Sequence, residues 1–184
     1  MVTSTMLQTR RLDLIPATAE HLERELRHPR ELEPLLGAIV TAEWPPGEYD
    51  REAMRFFLTR LNEDGAAAVG WYVWYAVVRN PTGRRETLVA GAGFHGPPAA
   101  GLVEIGFSVI PSARRQGFAT EIVAALADYA FASGHVTAVI AQTTLANAAS
   151  VKVLERAGFQ MTGPGEEPDT VRFRLQKPES VEKR

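Results

Sequence analysis

Hydrophobic and polar positions follow two different periods along this chain, and their order predicts a mixed α/β fold. Runs rich in β-branched and aromatic residues predict strands at residues 11–16, 71–79, 87–94, 102–110, 136–143, 159–162 and 171–175. Apolar residues spaced three and four apart predict helices at residues 18–28, 30–36, 48–62, 118–131 and 146–157. We therefore expect one domain in which an antiparallel meander leads into a β-α-β unit.

Length and composition fit this interpretation and exclude several kinds of site. The 184 residues suit one domain, which we expect at residues 1–176, followed by a tail at 177–184. The absence of cysteine excludes disulfides, thiolate metal ligands and a cysteine nucleophile. The formal net charge of -2 does not indicate the basic surface that binding of nucleic acid requires. No secretory signal pattern opens the sequence, and no apolar run approaches the roughly 20 residues that cross a bilayer, so we expect a cytoplasmic protein without a membrane partner.

Most arginine pairs and histidines are interpreted as ordinary surface groups. The pairs Arg10-Arg11 and Arg84-Arg85 are expected to be solvated, as such pairs usually are. We expect His21 and His28 to be exposed on the first helix, whereas His95 follows a strand near the expected cleft and is a candidate contact for a substrate. No two histidines have the spacing of metal ligands beside a carboxylate, so we predict no metal site.

Two glycine-rich segments compete for the role of phosphate binder. Gly91–Gly96 matches G-x-G-x-x-G, but two prolines and a turn follow where a dinucleotide site needs a helix, so we interpret it as a strand end and hairpin. Arg114–Thr120 instead follows a strand and opens a helix. Free backbone N–H groups and the helix dipole attract an anion there, and Gly117 allows close approach. A plain turn with exposed arginines is the alternative.

The second segment carries a family resemblance. The pattern R-x-x-G-x-A at residues 114–119 resembles the Q/R-x-x-G-x-G/A signature of the GNAT superfamily of N-acetyltransferases, in which it binds the pyrophosphate of acetyl-CoA. One strand later, Asn147–Phe159 resembles the N-x-x-S/A-x-x-x-x-x-x-G-F block of that family. Gln8–Leu14 and Glu104–Phe107 resemble the branch that includes ribosomal-protein alanine N-acetyltransferases. The resemblance implies a single-domain GNAT fold of the α/β class, with a mixed, mostly antiparallel twisted sheet flanked by helices.

The resemblance also implies an enzyme that moves the acetyl group of acetyl-CoA to a primary amine by direct attack. One strand would pair its main chain with the pantetheine arm, the loop would hold the pyrophosphate, and the second helix would contact the arm. The cofactor-binding residues so implied are Phe107, Ser108, Val109, Arg114, Arg115, Gln116, Gly117, Phe118, Ala119, Thr120, Asn147 and Ser150. A backbone N–H near Val109 would polarise the thioester carbonyl. Asn147 is equally a good N-cap.

Two residues are candidates for the proton transfers of catalysis. An acceptor amine arrives mostly protonated, so a base is useful. Glu104 is the candidate, acting through a water molecule, against the alternative of a surface carboxylate on a strand. Many relatives protonate the leaving thiolate with a tyrosine, but Leu154 stands at the matching position. Ser150, one turn after Asn147, is the candidate donor instead, with an ordinary helix serine as the alternative.

The acceptor is left open between a protein N-terminus and a small primary amine, because one fold serves many substrates. Its pocket is expected between residues 18–62 and the loop 163–169, whose acidic residues Glu166, Glu167 and Asp169 would attract a cation. Aromatic candidates for its lining, with the core as alternative, are Trp44, Trp71, Tyr72 and Trp74. A homodimer is also left open. The alternative functions are a non-catalytic acyl-CoA-binding sensor of the same fold and a domain that binds NAD at Gly91–Gly96.

Overall fold

A computed structural model describes residues 6–178, which form one eight-stranded sheet with five α-helices. The strands are β1 (Leu7–Gln8), β2 (Leu12–Pro16), β3 (Val73–Arg79), β4 (Arg85–Phe94), β5 (Leu102–Val109), β6 (Ala138–Thr144), β7 (Gln160–Pro164) and β8 (Thr170–Gln176). The helices are α1 (Ala19–Arg27), α2 (Glu33–Leu36), α3 (Arg51–Asp64), α4 (Phe118–Ala132) and α5 (Ala148–Arg156). The spatial order of the strands is β1-β2-β3-β4-β5-β6-β8-β7, and among these neighbours the β5–β6 pair alone is parallel. The predicted mixed, mostly antiparallel sheet is confirmed.

Different helices cover the two faces of this sheet, as neighbouring residues of β3 show. The indole of Trp74 packs edge-on against Tyr129 of α4, with ring centroids 5.0 Å apart. The hydroxyl of the next residue, Tyr75, donates to Glu25 of α1 at 2.6 Å. Because successive side chains of a strand point to opposite faces, α4 and α1 lie on opposite sides of the sheet. Within residues 6–178, none of the helices has the length and apolar character needed to cross a membrane.

Local sequence decides where the N-terminal helices begin. Thr18 precedes α1 as predicted, and its backbone N–H donates to Nδ1 of His21 at 3.3 Å. The prediction that His21 is exposed is wrong, because its ring stacks on Tyr75 with ring centroids 5.7 Å apart. Burial lowers the pKa of His21. Asp50 accepts two backbone N–H bonds of the first turn of α3, at 2.8 and 2.9 Å. The helix therefore begins at Arg51, three residues later than predicted, because Asp50 is its cap.

Two arginines that were expected to be solvated are held by carboxylates. Nε of Arg85 lies 2.7 Å from Oδ2 of the buried Asp13, which also pairs with Arg79 at 2.9 Å. Nε of Arg11 lies 2.8 Å from Oε2 of Glu121. The prediction was wrong at both positions because the partners stand 72 and 110 residues away along the chain.

The C-terminal end of the fold closes against α4 and β6. The backbone N–H of Lys177 donates to the Thr137 carbonyl at 2.8 Å, and its Nζ donates to the Phe131 carbonyl at 3.2 Å. Residues 179–184 of the predicted tail lie outside the described residues. The domain limits at 1–176 therefore stay a prediction.

Candidate active site

Strands β5 and β6 are paired at one end and separate at the other. Three consecutive residue pairs join them, and the last is Glu104 with Ile140. Beyond this point β5 continues to Val109 with β4 as its partner, and β6 continues to Thr144 with β8 as its partner. Each strand therefore presents an unpaired edge to the gap between them.

The backbone groups of β5 alternate between β4 and this gap. The carbonyl of Glu104 accepts a hydrogen bond from the His95 N–H at 3.0 Å. The N–H of Ile110 donates to the Val89 carbonyl at 2.9 Å. Even-numbered residues of this stretch thus direct their main-chain groups to β4. Since the direction alternates along an extended strand, the odd-numbered residues direct theirs to the gap.

Two of the three residues predicted to pair with the pantetheine arm face the gap with their main chain, namely Phe107 and Val109. The Val109 carbonyl accepts from Nε of Arg114 at 3.1 Å, so its N–H is the group left for another partner. Ser108 directs its main chain to β4. Its hydroxyl approaches the opposite wall, where a Cβ on Gly47 would lie 2.6 Å away.

The turn between β5 and α4 exposes a run of backbone N–H groups. Within residues 6–178, none of the six N–H groups from Arg115 to Thr120 donates a hydrogen bond, and no side chain caps α4. The first helical bond runs from the Glu121 N–H to the Gly117 carbonyl at 3.2 Å. Arg115 and Gly117 have positive φ values of 61° and 81°. Such left-handed residues are typical of concave backbone nests that bind anions.

The side chains of this turn are partly used within the protein. Nε2 of Gln116 donates to the Ser112 carbonyl at 3.2 Å, and the Ser112 N–H donates to Oε1 of Glu43 at 3.0 Å. Arg115 is exposed, whereas the Phe118 side chain is buried. Phe118 can therefore offer a ligand its backbone N–H but not its ring.

Helix α5 begins shortly after the end of β6 that has separated from β5, and its first turn carries polar side chains. Oδ1 of Asn147 accepts the Ser150 N–H at 3.2 Å, which confirms the predicted N-cap. The Asn147 amide nitrogen and the Ser150 hydroxyl have no hydrogen-bond partner within residues 6–178. Leu154, which stands where many relatives have a tyrosine, is buried in the core, so the residue at this position contributes to packing.

A pocket of about 190 Å³ opens on the face of the sheet that carries α3. Its floor contains the glycines of β4 and β5, and its wall includes Tyr49 and Phe57. A Cβ on Gly91 would lie 3.3 Å from the Tyr49 ring, and a Cβ on Gly106 would lie 3.3 Å from Nε2 of His95. The absence of side chains at these two positions therefore leaves room for a ligand above β5.

The predicted aromatic lining is only partly observed. Tyr72 lines the pocket, and its hydroxyl donates to Asp64. Trp44 packs against Tyr49, with ring centroids 5.7 Å apart. Trp71 and Trp74 contact Tyr129 on the α4 side, at 5.4 and 5.0 Å. These last two tryptophans belong to the core, the alternative that the sequence had left open.

Glu104 stands at the point where β5 and β6 separate, with its side chain 21% exposed. Nε2 of Gln142 donates to both carboxylate oxygens at 3.2 Å. Oε1 of Gln142 accepts the Glu166 N–H at 2.5 Å, and this bond fixes which way the amide points. Nδ1 of His95 lies 3.6 Å from Oε1 of Glu104. The carboxylate is thus held by Gln142 of β6 and lies next to His95, which lines the pocket.

A second carboxylate, Glu25, lies behind the pocket wall and was missed in the sequence. Its side chain accepts from Nε1 of Trp44 at 2.6 Å and from the hydroxyls of Tyr49 and Tyr75 at 2.8 and 2.6 Å. Burial raises its pKa, and the three hydrogen bonds oppose that shift. Burial likewise raises the pKa values of Tyr49 and Tyr75. The one signal in the sequence was its position three residues after the buried Leu22, on the same helical face.

Other parts of the surface contain none of the predicted site residues. Gly91 and Gly93 lie in β4, and the chain after Gly96 turns directly into β5, so the predicted strand end and hairpin are confirmed and the dinucleotide alternative is wrong. A groove of about 510 Å³ lies near the other end of β4, lined by residues 37–39, 80 and 84–87. Within residues 6–178, no three histidine or acidic side chains come together as a metal site, and the absence of a metal stays a prediction.

The arrangement of a forked sheet, an uncapped helix and a pocket agrees with the comparison to known families. The sequence profile described as "Acetyltransferase (GNAT) domain" matches residues 11–160. The chain therefore belongs to the GNAT family and is an acetyl-CoA-dependent N-acetyltransferase.

Individual relatives agree with this assignment. A Bacillus subtilis protein described as uncharacterized N-acetyltransferase YjdG is 29% identical over 155 residues, which cover 84% of this chain and 89% of that protein. The ribosomal-protein-S5-alanine acetyltransferase of Vibrio fischeri has a similar structure, with a TM-score of 0.62, 15% identity and coverage of 95% of this chain and 100% of that one. RimL, a ribosomal L7/L12 α-N-protein acetyltransferase solved with coenzyme A, has a TM-score of 0.62, 16% identity and coverage of 94% and 98%.

Proposed function

We propose that this chain transfers the acetyl group of acetyl-CoA to a primary amine by direct attack of the amine on the thioester. The observation that carries the proposal is the run of six backbone N–H groups from Arg115 to Thr120 that have no partner among residues 6–178, next in sequence to β5 with its free edge. These features suit the two ends of one ligand, an anionic pyrophosphate and an arm that contains amides.

The pyrophosphate would be held by the start of α4. Consecutive backbone N–H donors and the dipole of a 15-residue helix stabilise negative charge at this point. Arg115 adds an exposed positive charge, whereas the guanidinium of Arg114 is directed to the Val109 carbonyl. We expect Arg115 to contribute more to the attraction of phosphate than Arg114.

The pantetheine arm would pair with the gap-facing main-chain groups of Phe107 and Val109, as an added strand does. The Val109 N–H is the proposed donor to the thioester oxygen, where negative charge develops during attack. The free amide nitrogen of Asn147 would hydrogen-bond the arm from the other side of the gap. Its Oδ1 is already engaged as the helix cap.

The proton of the incoming ammonium would pass through water to Glu104. The neutral nitrogen then attacks the carbonyl carbon, the positively charged nitrogen of the tetrahedral intermediate loses a further proton to solvent water, and the carbon–sulfur bond breaks to release the amide and the CoA thiolate. Ser150 is the proposed donor to that thiolate, and its hydroxyl regains a proton from solvent. Gln142 keeps the Glu104 carboxylate at the fork, and the glycines at 91 and 106 leave space for the amine next to it.

The proposed acceptor is the primary amine of a protein N-terminus or of a small molecule. The pocket of about 190 Å³ is smaller than the roughly 300–1,000 Å³ of drug-sized sites, so it suits a short group behind the amine. Glu48 and Glu104 place negative charge around it, which favours an ammonium ion. Both solved relatives described above act on ribosomal proteins according to their descriptions, which supports a protein N-terminus.

A two-part assay tests the proposal. Melting curves with CoA and with NAD should show stabilisation by CoA alone. Acetyl-CoA is then incubated with peptides bearing N-terminal Ala or Ser and with polyamines, while free thiol and acetylated product are measured. Thiol release that depends on the amine is the expected result. Binding of CoA without turnover of any amine would support the sensor alternative and overturn the catalytic roles of Glu104 and Ser150.

A further inference from the structure

Arg11, in the turn between β1 and β2, reaches the loop that opens α4. Its Nη1 donates to the Gln116 carbonyl at 2.8 Å, across 105 residues of sequence. Its Nε donates to Oε2 of Glu121 at 2.8 Å, and its guanidinium carbon lies 4.4 Å from the centroid of the Phe118 ring. One side chain therefore contacts the loop and the first turn of the helix at three points.

The turn between β1 and β2 also forms further hydrogen bonds to the Glu121 carboxylate. Oε1 of Glu121 accepts the Thr9 hydroxyl at 2.6 Å and the backbone N–H of Arg11 at 2.9 Å. Both carboxylate oxygens are thus occupied by one short segment of the chain. The guanidinium is held in place by these partners. Its planar group has several N–H donors that can bond to the Glu121 carboxylate and the Gln116 carbonyl simultaneously, whereas the single ammonium of a lysine cannot reach both in this geometry.

The bond to the Gln116 carbonyl has a geometric consequence for the neighbouring donor. A trans peptide unit is planar, and its C=O and N–H point in opposite directions. By fixing the Gln116 carbonyl, Arg11 fixes the N–H of Gly117 on the other side of that plane. Gly117 has no side chain to restrict its own rotation, so the peptide plane depends on such an external contact.

We propose that Arg11 is a positioning residue for acetyl-CoA, which holds the Gln116–Gly117 peptide so that the N–H groups of the loop are directed to the pyrophosphate. The proposal rests on the function of that loop given above. Arg11 is not among the residues to which the family resemblance assigns a contact with acetyl-CoA. Arg11 acts through the backbone and needs no contact with the cofactor.

The test compares Arg11→Gln and Arg11→Lys with Arg79→Gln as the matched control. Arg79 bonds to the same turn, from Nη2 to the Thr9 carbonyl at 2.5 Å, and pairs with Asp13 at 2.9 Å without touching the loop. Calorimetry gives the Kd of CoA for each protein. Steady-state kinetics then use acetyl-CoA and S-acetylpantetheine, which lacks the pyrophosphate, with the best amine from the panel.

For Arg11→Gln we expect the Kd of CoA and the KM of acetyl-CoA to rise about tenfold. For Arg11→Lys, the Kd of CoA and the KM of acetyl-CoA should lie between those of Arg11→Gln and those of the parent protein. The kcat at saturating acetyl-CoA and the KM of the amine should change less than about twofold, and kcat/KM for S-acetylpantetheine should not change. Arg79→Gln should lower the melting temperature and leave the Kd of CoA as it is.

Each contrary outcome has a distinct meaning. A parent protein that does not bind CoA overturns the proposed function and this inference with it. Normal CoA binding by the parent and an unchanged Kd in Arg11→Gln overturn the inference alone. Equal losses with acetyl-CoA and S-acetylpantetheine, or equal losses in Arg79→Gln, would show that Arg11 serves general stability and not the pyrophosphate loop.

Discussion

At the scale of single residues, Glu25 joins α1 to the wall of the pocket through Trp44, Tyr49 and Tyr75. We predict that Glu25→Gln lowers the free energy of unfolding by about 1–3 kcal/mol, because the amide has one acceptor oxygen and its NH₂ group faces a donor. Urea denaturation measures this loss. Glu23→Gln, an exposed change on the same helix, should stay within about 0.5 kcal/mol.

Glu25 should also give stability a pH dependence of known sign. Burial raises the folded-state pKa above the unfolded value of about 4.3, so the folded state binds the proton more tightly. The free energy of unfolding therefore falls as pH rises from about 4.3 through the raised pKa, and this contribution is constant above it. The difference between the parent protein and Glu25→Gln should decrease with pH across that window. A difference that is flat or increases with pH would contradict this assignment.

Glu104 is the residue on which the proposed chemistry depends most. We predict that Glu104→Gln lowers kcat about 100-fold, leaves the KM of acetyl-CoA within about twofold, and removes the acidic limb of the pH–rate profile. The amide keeps the volume and can still accept the Gln142 hydrogen bond. Glu86→Gln is the control, since Glu86 is an exposed glutamate on the neighbouring strand β4. Unchanged turnover and an unchanged pH–rate profile in Glu104→Gln would show that Glu104 is not the general base.

At the scale of elements, the β3–β4 hairpin depends on a close approach of two backbones. Gly93 has φ 152°, and a Cβ there would lie 1.7 Å from the Tyr72 carbonyl oxygen. We predict that Gly93→Ala lowers the free energy of unfolding by at least about 3 kcal/mol, because the two strands must move apart. Gly83, in the turn of the same hairpin, has φ 84° and open space around it. Gly83→Ala should cost only about 1–2 kcal/mol for its backbone conformation. Equal losses of unfolding free energy in Gly93→Ala and Gly83→Ala would mean that the chain accommodates a Cβ next to the Tyr72 carbonyl oxygen without separation of the two strands.

The elements themselves could largely be predicted, since each depends on local patterns. The start of α4 at Phe118 followed from the strand, loop and apolar spacing around it. The start of α3 was misplaced because residue 48 and Asp50 are both acidic and only the latter caps the helix. The side-chain network of the site could not be predicted. Gln142 and Glu104 are 38 residues apart, and Arg11 and Glu121 are 110 apart, so their contacts depend on the order of strands in the sheet.

At the scale of the whole molecule, the sheet consists of two halves joined by the short parallel contact between β5 and β6. The half formed by β1 to β5 carries the pocket, and the half formed by β6, β8 and β7 carries α5 with Asn147 and Ser150. Arg11 crosses from the N-terminal edge of the sheet to α4. Glu121 has a pKa below the ordinary value, because its hydrogen bonds from Thr9 and Arg11 outweigh the opposing effect of burial. Its contribution to stability is therefore present above about pH 4.3 and is lost as pH falls through the lowered pKa.

The fork in the sheet makes a prediction for hydrogen exchange along β5. Without ligand, the N–H of Ile110 should be protected by its bond to Val89, whereas the N–H groups of Phe107 and Val109 should exchange quickly because they face the gap. CoA should then protect these two together with residues 115–120. S-acetylpantetheine should protect Phe107 and Val109 but leave residues 115–120 open, since it lacks the pyrophosphate. Amide exchange followed by NMR measures all three states. If residues 115–120 were protected equally by both ligands, the loop would not be the pyrophosphate site.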